Sequence, residues 1–443
     1  MNISSRFNLS ENAVKVTKNI GWAVAGKTVS LLGGLLVGIL VARYLGPEQY
    51  GLMNYVISYV CIFQVFATFG LDSIEIREES RHPEERDVII GTAFTIKIIL
   101  AAITLAAVAV SVTITETDSF TRWMIMLYSV SIVLNSLNVI RNHFTSLVWN
   151  EYVVKTEISR TVIGALIKIG LLFAKAGLGW FIAVYTFDFV LLASGYCTSY
   201  RLKIGRMKLW RFDIKWAKYL VAQSFPLMLT GAAVMIYQRI DQVMIGKMID
   251  SASVGQFSVA SKFVEVLIFV PTIIAQTVAP ILIRTREKDY DEYKKKSQVF
   301  MNVTIWGSVF MAVVTSLVSY YLVILTFGEK YLPAVAILQI LSFKAVSVAL
   351  SNTAGQLLII EGLQKYAILR DGFGCVICVV FNLLLIPRFG TEGAAVVAIL
   401  SNLSAGYIAD LFIPQYRHLF RMQSKALLLG WKDIFKIKSL LKS

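Results

Sequence analysis

Apolar runs about as long as a bilayer is thick dominate this chain and leave few folds open to it. Residues 29–42, 98–112 and 377–386 are examples, and the polar segments between such runs are short. A hydrocarbon core about 30 Å thick asks a helix for roughly 20 consecutive, mostly apolar residues. Spanning strands would be about half as long and would alternate polar with apolar, which these runs do not do. Composition agrees: 56% of residues are hydrophobic and 16% charged, against about 45–50% and about 25% in soluble globular chains. The mean hydropathy is +0.66. The chain is therefore predicted to be an all-α polytopic membrane protein.

Twelve spans can be laid out, at roughly 18–43, 51–73, 88–113, 121–146, 157–175, 179–200, 219–246, 254–283, 299–326, 332–360, 364–387 and 392–416. The net charge of +15 raises nucleic acid as a partner, but the position of the charge explains it otherwise. With the N-terminus in the cytoplasm, the inner segments gather Arg77, Arg81 and Arg86, then Arg201, Lys203, Arg206 and Lys208, then Lys294 to Lys296, then the tail from Arg417. The outer turns hold one basic residue each: Arg43, Arg122, Lys175, Lys247, Lys330 and Arg388. This asymmetry is the positive-inside pattern and places both termini in the cytoplasm. No nucleic-acid partner is needed. The first apolar run is too long for the core of a cleavable signal. Cys375 and Cys378 form a C-x-x-C inside an apolar span with no histidine beside it, which reads as small apolar filling rather than metal or redox chemistry.

The chain also carries two copies of one plan. In LVARYLGPEQYGLMNYV, Arg43 is followed eight positions later by Gly51; in QRIDQVMIGKMIDSASVGQ, Lys247 is followed eight positions later by Gly255. Each sequence closes one apolar run and opens the next. A second pair of landmarks, KAGLGW from Lys175 and RFGTEG from Arg388, repeats in the same order. Six spans separate the copies, so the two halves share one orientation, the parallel type of transporter repeat. The expected organisation is a cytoplasmic arm over 1–17, an N-lobe over 18–200, a basic connection over 201–218, a C-lobe over 219–416 and a basic cytoplasmic tail over 417–443. The inner loops hold about 15 residues, too few for a nucleotide-binding domain with a core of its own. Gly21 to Thr28 matches the phosphate-loop pattern G-x-x-x-x-G-K-[ST] letter for letter, but it lies inside the first span with no strand before it. Those glycines read better as helix-packing positions, with Gly34 and Gly38 continuing the face.

Ionisable residues within spans are costly, about 2.5–3.5 kcal/mol or more at the bilayer centre, and mark cavities or partners. Lys27, Lys97, Lys168, Arg239, Lys262 and Lys344 fall within spans, with Asp188, Asp241, Glu265 and Asp410. Lys262 and Glu265 stand at i,i+3, where they either pair or leave Lys262 to snorkel to the interface. Arg239 and Asp241 are two residues apart, about 200° round a helix, so they cannot share a face. Lys97, Lys168 and Lys344 lie about ten residues from either end of their spans and are expected to line a cavity. The basic excess suits an anionic ligand, because Lys and Arg pair with phosphate oxygens in a low-dielectric site. Catalytic resources are poor: the three histidines, His82, His143 and His418, all lie near the cytoplasmic face, and no large outer loop exists to hold an active site. An enzyme is not expected, and neither a metal nor a resident cofactor is implied.

RIDQVMIGKMIDSASVGQFSVASK, the matching LVARYLGPEQYGLMNYV and the twelve spans in two repeats together resemble the polysaccharide transport family. These are the Wzx-type O-antigen and capsule flippases of the multidrug/oligosaccharidyl-lipid/polysaccharide superfamily. The resemblance covers essentially the whole chain and implies a V-shaped pair of six-helix lobes around a basic cavity in the bacterial cytoplasmic membrane. It implies export, by alternating access, of an undecaprenyl-pyrophosphate-linked oligosaccharide, with the pathway's polymerase and chain-length regulator as possible partners. Substrate contact is thereby assigned to Lys27, Lys97, Lys168, Arg239 and Lys344. Asp188, Asp241 and Glu265 are the candidates for a coupling proton or sodium ion, and Asp241 matches the family's seventh-span aspartate. A multidrug exporter of the same superfamily, or a membrane glycosyl polymerase or ligase, are the alternatives. Polar residues such as Asn135, Asn138 and Asn352 are candidates for sugar contact and equally for helix packing.

Overall fold

The computed structural model describes residues 11–436, with side chains at Gly26 and over 28–433. Among the described residues there is no strand. The α-helices in chain order are α1 (Glu11–Thr68), α2 (Leu71–Arg81), α3 (Arg86–Thr115), α4 (Ser119–Leu134), α5 (Asn138–Ser146), α6 (Asn150–Phe173) and α7 (Leu178–Lys203). They continue as α8 (Ile214–Met248), α9 (Ser251–Lys288), α10 (Tyr290–Thr326), α11 (Ala334–Leu341), α12 (Lys344–Glu361), α13 (Ala367–Leu403), α14 (Ala409–Phe412) and α15 (Arg417–Leu429).

Among the described residues, nine helical stretches are long and apolar enough to cross a membrane. They account for the twelve expected spans once three facts are added. The stretch Thr28–Arg81 carries the first two spans, because the backbone leaves the helix at Gly46, whose φ is 74°. The stretch Gln364–Phe412 carries the last two, because α13 breaks at Gly390, with φ 58°. Pro47 and Pro387 stand beside these breaks and remove a backbone donor, so both outer turns form where glycine tolerates the left-handed region. The third fact is α6, which holds the fifth span but carries Lys155, Glu157, Arg160 and Lys168, too many charges for an apolar stretch.

Local chemistry sets several of the remaining boundaries. Asp118 caps α4 by accepting from the backbone N–H groups of Phe120 and Thr121. Asp250 caps α9 through Ser253 N at 2.7 Å, and Asp289 caps α10 through the N–H groups of Asp291 and Glu292. Such a cap contributes about 1 kcal/mol.

The chain divides into two compact units: residues up to Tyr44 with Tyr59–Gly231, and Leu45–Ser58 with the residues from Ala232 onward. The division falls inside α8, later than the connection at 201–218, and the short segment after the first outer turn joins the second unit. In the first unit α6 packs on α7, α7 on α4 and α4 on α3. Its core is built by Leu71, Ile90, Ile140, Phe144, Tyr196 and Tyr200. In the second unit α9, α10 and α12 pack on one another, and Leu282, Phe300, Met301, Leu357, Tyr416 and Leu419 form the core. Side chains such as Ile103, Phe310 and Leu317 are 60%, 69% and 76% exposed, a surface that hydrocarbon accepts and water does not.

The repeated glycines acquire a shared reason. Within the second unit, a Cβ on Gly51 would lie 1.7 Å from the carbonyl oxygen of Ser251, and one on Gly255 would lie 2.1 Å from that of Pro47. The two copies of the motif cross backbone to backbone, and only glycine permits that approach. The glycines of the first span behave less uniformly. Gly26 and Gly33 face Val154 and Thr161 of α6, whereas Gly34, expected to continue that face, meets nothing within 4 Å.

Candidate functional site

The intramembrane charges fall into two kinds of environment. In the second unit, α8 supplies Arg239 and Asp241, α9 supplies Lys262 and Glu265, and α12 begins at Lys344. Lys262 Nζ donates to Glu265 Oε2 at 3.1 Å, so the i,i+3 pair forms. Arg239 and Lys344 also act on Glu265 electrostatically, so three cations bear on one carboxylate. All four side chains are half-buried. Arg239 and Lys344 make no hydrogen bond or ion pair through their head groups to another described residue.

Asp241 points elsewhere, as the 200° offset requires. It is 1% exposed and accepts from Asn382 Nδ2 at 2.6 Å, with the Cys378 thiol 3.5 Å from the same oxygen. Cys378 is thus a small buried group beside a carboxylate, and all four cysteines are free. Lys344 is the cation that acts on Asp241 across space.

In the first unit the charges are closed off. Lys97 is 2% exposed and donates to Asp72 at 2.7 Å and to Glu75 at 2.9 Å. Asn142 Nδ2 donates to the same two carboxylates, and His143 Nδ1 lies 2.6 Å from Glu79. Lys168 is 6% exposed, lies 2.6 Å from Asp188 and sits 4.0 Å from the centre of the Tyr185 ring. A Cβ on Gly164 would meet Asp188 at 2.2 Å, so glycine there makes room for the carboxylate. Removing one partner of such a buried pair costs about 3–5 kcal/mol, since the other charge is left uncompensated. These lysines are anchors of the first unit.

Lys27 lies outside the residues whose side chains are described. Its backbone is helical, and α1 runs unbroken through the whole G-x-x-x-x-G-K-T stretch, so no phosphate-cradling loop forms there. Asn352 donates to Thr272 at 3.1 Å, a contact between packed helices, and Asn138 to Asn135 at 3.1 Å, one turn back on its own stretch.

Two groups went unread in the sequence. Glu75, Glu78 and Glu79 look like a solvated loop after the second span, yet all three are buried. Their i, i+3, i+4 spacing on one face of α2 was the available signal. Arg370, near the start of the expected eleventh span, is 5% exposed and donates to Ala405 O at 2.7 Å and to Ser351 O at 3.1 Å. Its acceptor lies in a π-helical turn, Ser404–Ile408, whose widened backbone frees a carbonyl. Asp410, fully buried, stands 3.9 Å from the same guanidinium.

Among the described residues the one group with the makings of a metal site is His82, Glu84 and Glu85. It is partly exposed, and Glu85 already accepts from the Trp216 indole at 2.6 Å.

The profile of polysaccharide biosynthesis proteins matches residues 16–286, more than half of the chain. The chain belongs to this family. As a polysaccharide biosynthesis protein it shares its fold with solved structures of membrane proteins. The lipid II flippase MurJ, in an inward closed conformation, superposes with a TM-score of 0.72 at 13% identity, over 93% of this chain and 92% of that one. An inward-facing multidrug-resistance MATE transporter of the MOP superfamily gives 0.63 at 15% identity, over 89% and 96%. A Vibrio cholerae MATE transporter gives 0.57 at 13%, over 93% and 98%. No curated protein matches the chain. The fold is therefore that of these multi-pass membrane proteins, all-α as the sequence predicted.

Proposed function

We propose that this polysaccharide biosynthesis protein flips an undecaprenyl-pyrophosphate-linked oligosaccharide from the inner to the outer leaflet of the bacterial cytoplasmic membrane. The observation that carries the proposal is the second-unit charge group: three half-buried cations around Glu265, two of them without a hydrogen-bonded partner among the described residues. A half-buried cation with no partner is costly until an anion arrives. A pyrophosphate diester brings roughly two negative charges, and its oxygens form charge-assisted hydrogen bonds of about 1.5–3 kcal/mol each with Arg and Lys. Arg239 and Lys344 take the direct substrate contacts in this reading, while Lys262 keeps Glu265 in place. Lys97 and Lys168 act by holding their helices. The inside-negative potential favours outward movement of each negative charge by about 2.3 kcal/mol per 100 mV.

Of the three carboxylates considered for coupling, Asp188 has Lys168 and Glu265 has Lys262. Among the described residues Asp241 has the neutral donors Asn382 and Cys378 in contact and no cation, so it is the group a proton or sodium ion would serve. Catalysis has no place in this mechanism, because nothing covalent changes in the substrate.

The test is flipping of a fluorescent undecaprenyl-pyrophosphate oligosaccharide across proteoliposomes. Arg239→Ala and Lys344→Ala are expected to slow flipping roughly tenfold or more while leaving the thermal unfolding temperature nearly unchanged. Wild-type protein that moves a lipophilic cation but not this substrate would overturn the proposal in favour of a drug exporter.

A further inference from the structure

A pocket of about 700 Å³ opens in the second unit, on the side that the positive-inside pattern assigns to the cytoplasm, and shares no residue with the Arg239 group. Small-molecule sites run from about 300 to 1,000 Å³. It forms where three helix ends meet: the start of α10, the end of α12 at Glu361, and α15. The third helix is fixed in place by side-chain bonds to the others. Gln423 donates to Leu350 O at 3.2 Å, Gln298 to Met422 O at 3.0 Å, and Trp306 to Ala426 O at 2.8 Å.

Lys294, Lys295 and Lys425 line the pocket together with an apolar wall of Val299, Leu357 and Met422. Glu361 is the one carboxylate in the lining, and both its oxygens are taken: Tyr293 donates its hydroxyl at 3.1 Å and His418 Nε2 lies at 2.8 Å. Lys294 rests 4.5 Å from the centre of the Tyr290 ring, and Lys295 and Lys425 make no ion pair among the described residues. Three exposed ammonium groups beside an apolar wall call for an amphiphile with an anionic head. Position narrows the source. Along α15, Arg417, Arg421 and Lys425 form an exposed row at four-residue spacing, followed by Leu428 and Trp431, 75% and 53% exposed. Basic residues next to exposed leucine and tryptophan are the pattern of a helix lying in the headgroup layer.

We propose that this pocket binds the phosphate-bearing headgroup of an anionic phospholipid of the cytoplasmic leaflet, with Lys294, Lys295 and Lys425 on the phosphate and the apolar wall against the glyceryl and upper acyl carbons. Such a lipid fastens α15, and with it the ends of α10 and α12, to the membrane surface.

Native mass spectrometry of the full-length protein, titrated with phosphatidylglycerol and with phosphatidylcholine, reads the preference directly. Wild type is expected to hold phosphatidylglycerol at least about tenfold more tightly. The Lys294→Gln, Lys295→Gln, Lys425→Gln triple variant is expected to lose that preference and to keep flipping activity. A control with the same charge loss on exposed residues of the cytoplasmic connection, Lys208→Gln, Lys215→Gln and Lys218→Gln, is expected to retain it. Equal loss in the control, or no preference in wild type, overturns the proposal. Displacement of the bound lipid by millimolar glycerol phosphate or inorganic phosphate overturns the lipid as the source and assigns the three lysines to a soluble phosphate ligand.

Discussion

Lys97 and Lys168 in the first unit are 2% and 6% exposed and end on carboxylates within 2.7 Å, whereas Arg239 and Lys344 in the second are half-buried and end on none. All four lie within predicted spans and carry the same formal charge. What separates them is whether the fold has provided the counter-charge. Asp72 and Glu75 come to Lys97 from α2, and Asp188 comes to Lys168 from α7. In the second unit the fold gathers Arg239 and Lys344 about a carboxylate that Lys262 already holds. Paired charges hold helices; in the proposed mechanism the unpaired ones take the substrate's anion.

The sharpest way to break this comparison is to remove one charge from each unit. Lys168→Met is expected to destabilise the protein by about 3–5 kcal/mol, seen as a large drop in the detergent-solubilised unfolding temperature. Adding Asp188→Leu should recover most of that loss, since a buried pair is often replaceable by apolar groups of like volume. Arg239→Ala should change stability by less than about 1 kcal/mol. If Arg239→Ala is as destabilising as Lys168→Met, the two units do not differ in the way described.

A smaller effect concerns the frame on which the second-unit cations sit. Gly51→Val places a side chain into the Ser251 backbone and is expected to cost about 1–3 kcal/mol or more through overpacking. Gly34→Val, where nothing lies within 4 Å, is expected to be nearly silent in the same unfolding assay.

The smallest effect is a pairing in the second unit, outside the spans, that responds to pH near neutrality. The hydrogen bond from His418 to Glu361 holds the imidazole above its usual value near 6.5. A group raised on folding contributes stability that is complete below the unfolded value and fades as pH rises through the folded one. The unfolding temperature of wild type should therefore exceed that of His418→Gln most at about pH 6 and converge with it toward pH 8.5. A gap that widened with pH would show that the imidazole is neutral in the folded protein.

Much of the fold was legible because it follows from length and periodicity. The twelve spans, the turns at Gly46 and Gly390 and the doubled Gly51 and Gly255 all follow from local sequence, and the helices form where those rules put them. Three things ran against the local pattern. The Glu75, Glu78 and Glu79 face reads as a polar loop unless its helical spacing is weighed. Arg370 reads as a surface charge until a π turn from the last span supplies its acceptor. The division between the units falls inside α8, where composition shows no break.

For the candidate site the limit is physical. Sequence by itself determined that this chain crosses a membrane many times, that its halves repeat, and that costly charges sit inside its helices, because each of these is set by the bilayer and the helix repeat. It named Lys97, Lys168, Arg239 and Lys344 as one class. Only the tertiary structure separated them, because a lysine's energy in a low-dielectric interior depends on groups that come within about 3 Å from other helices, and that distance is decided by packing.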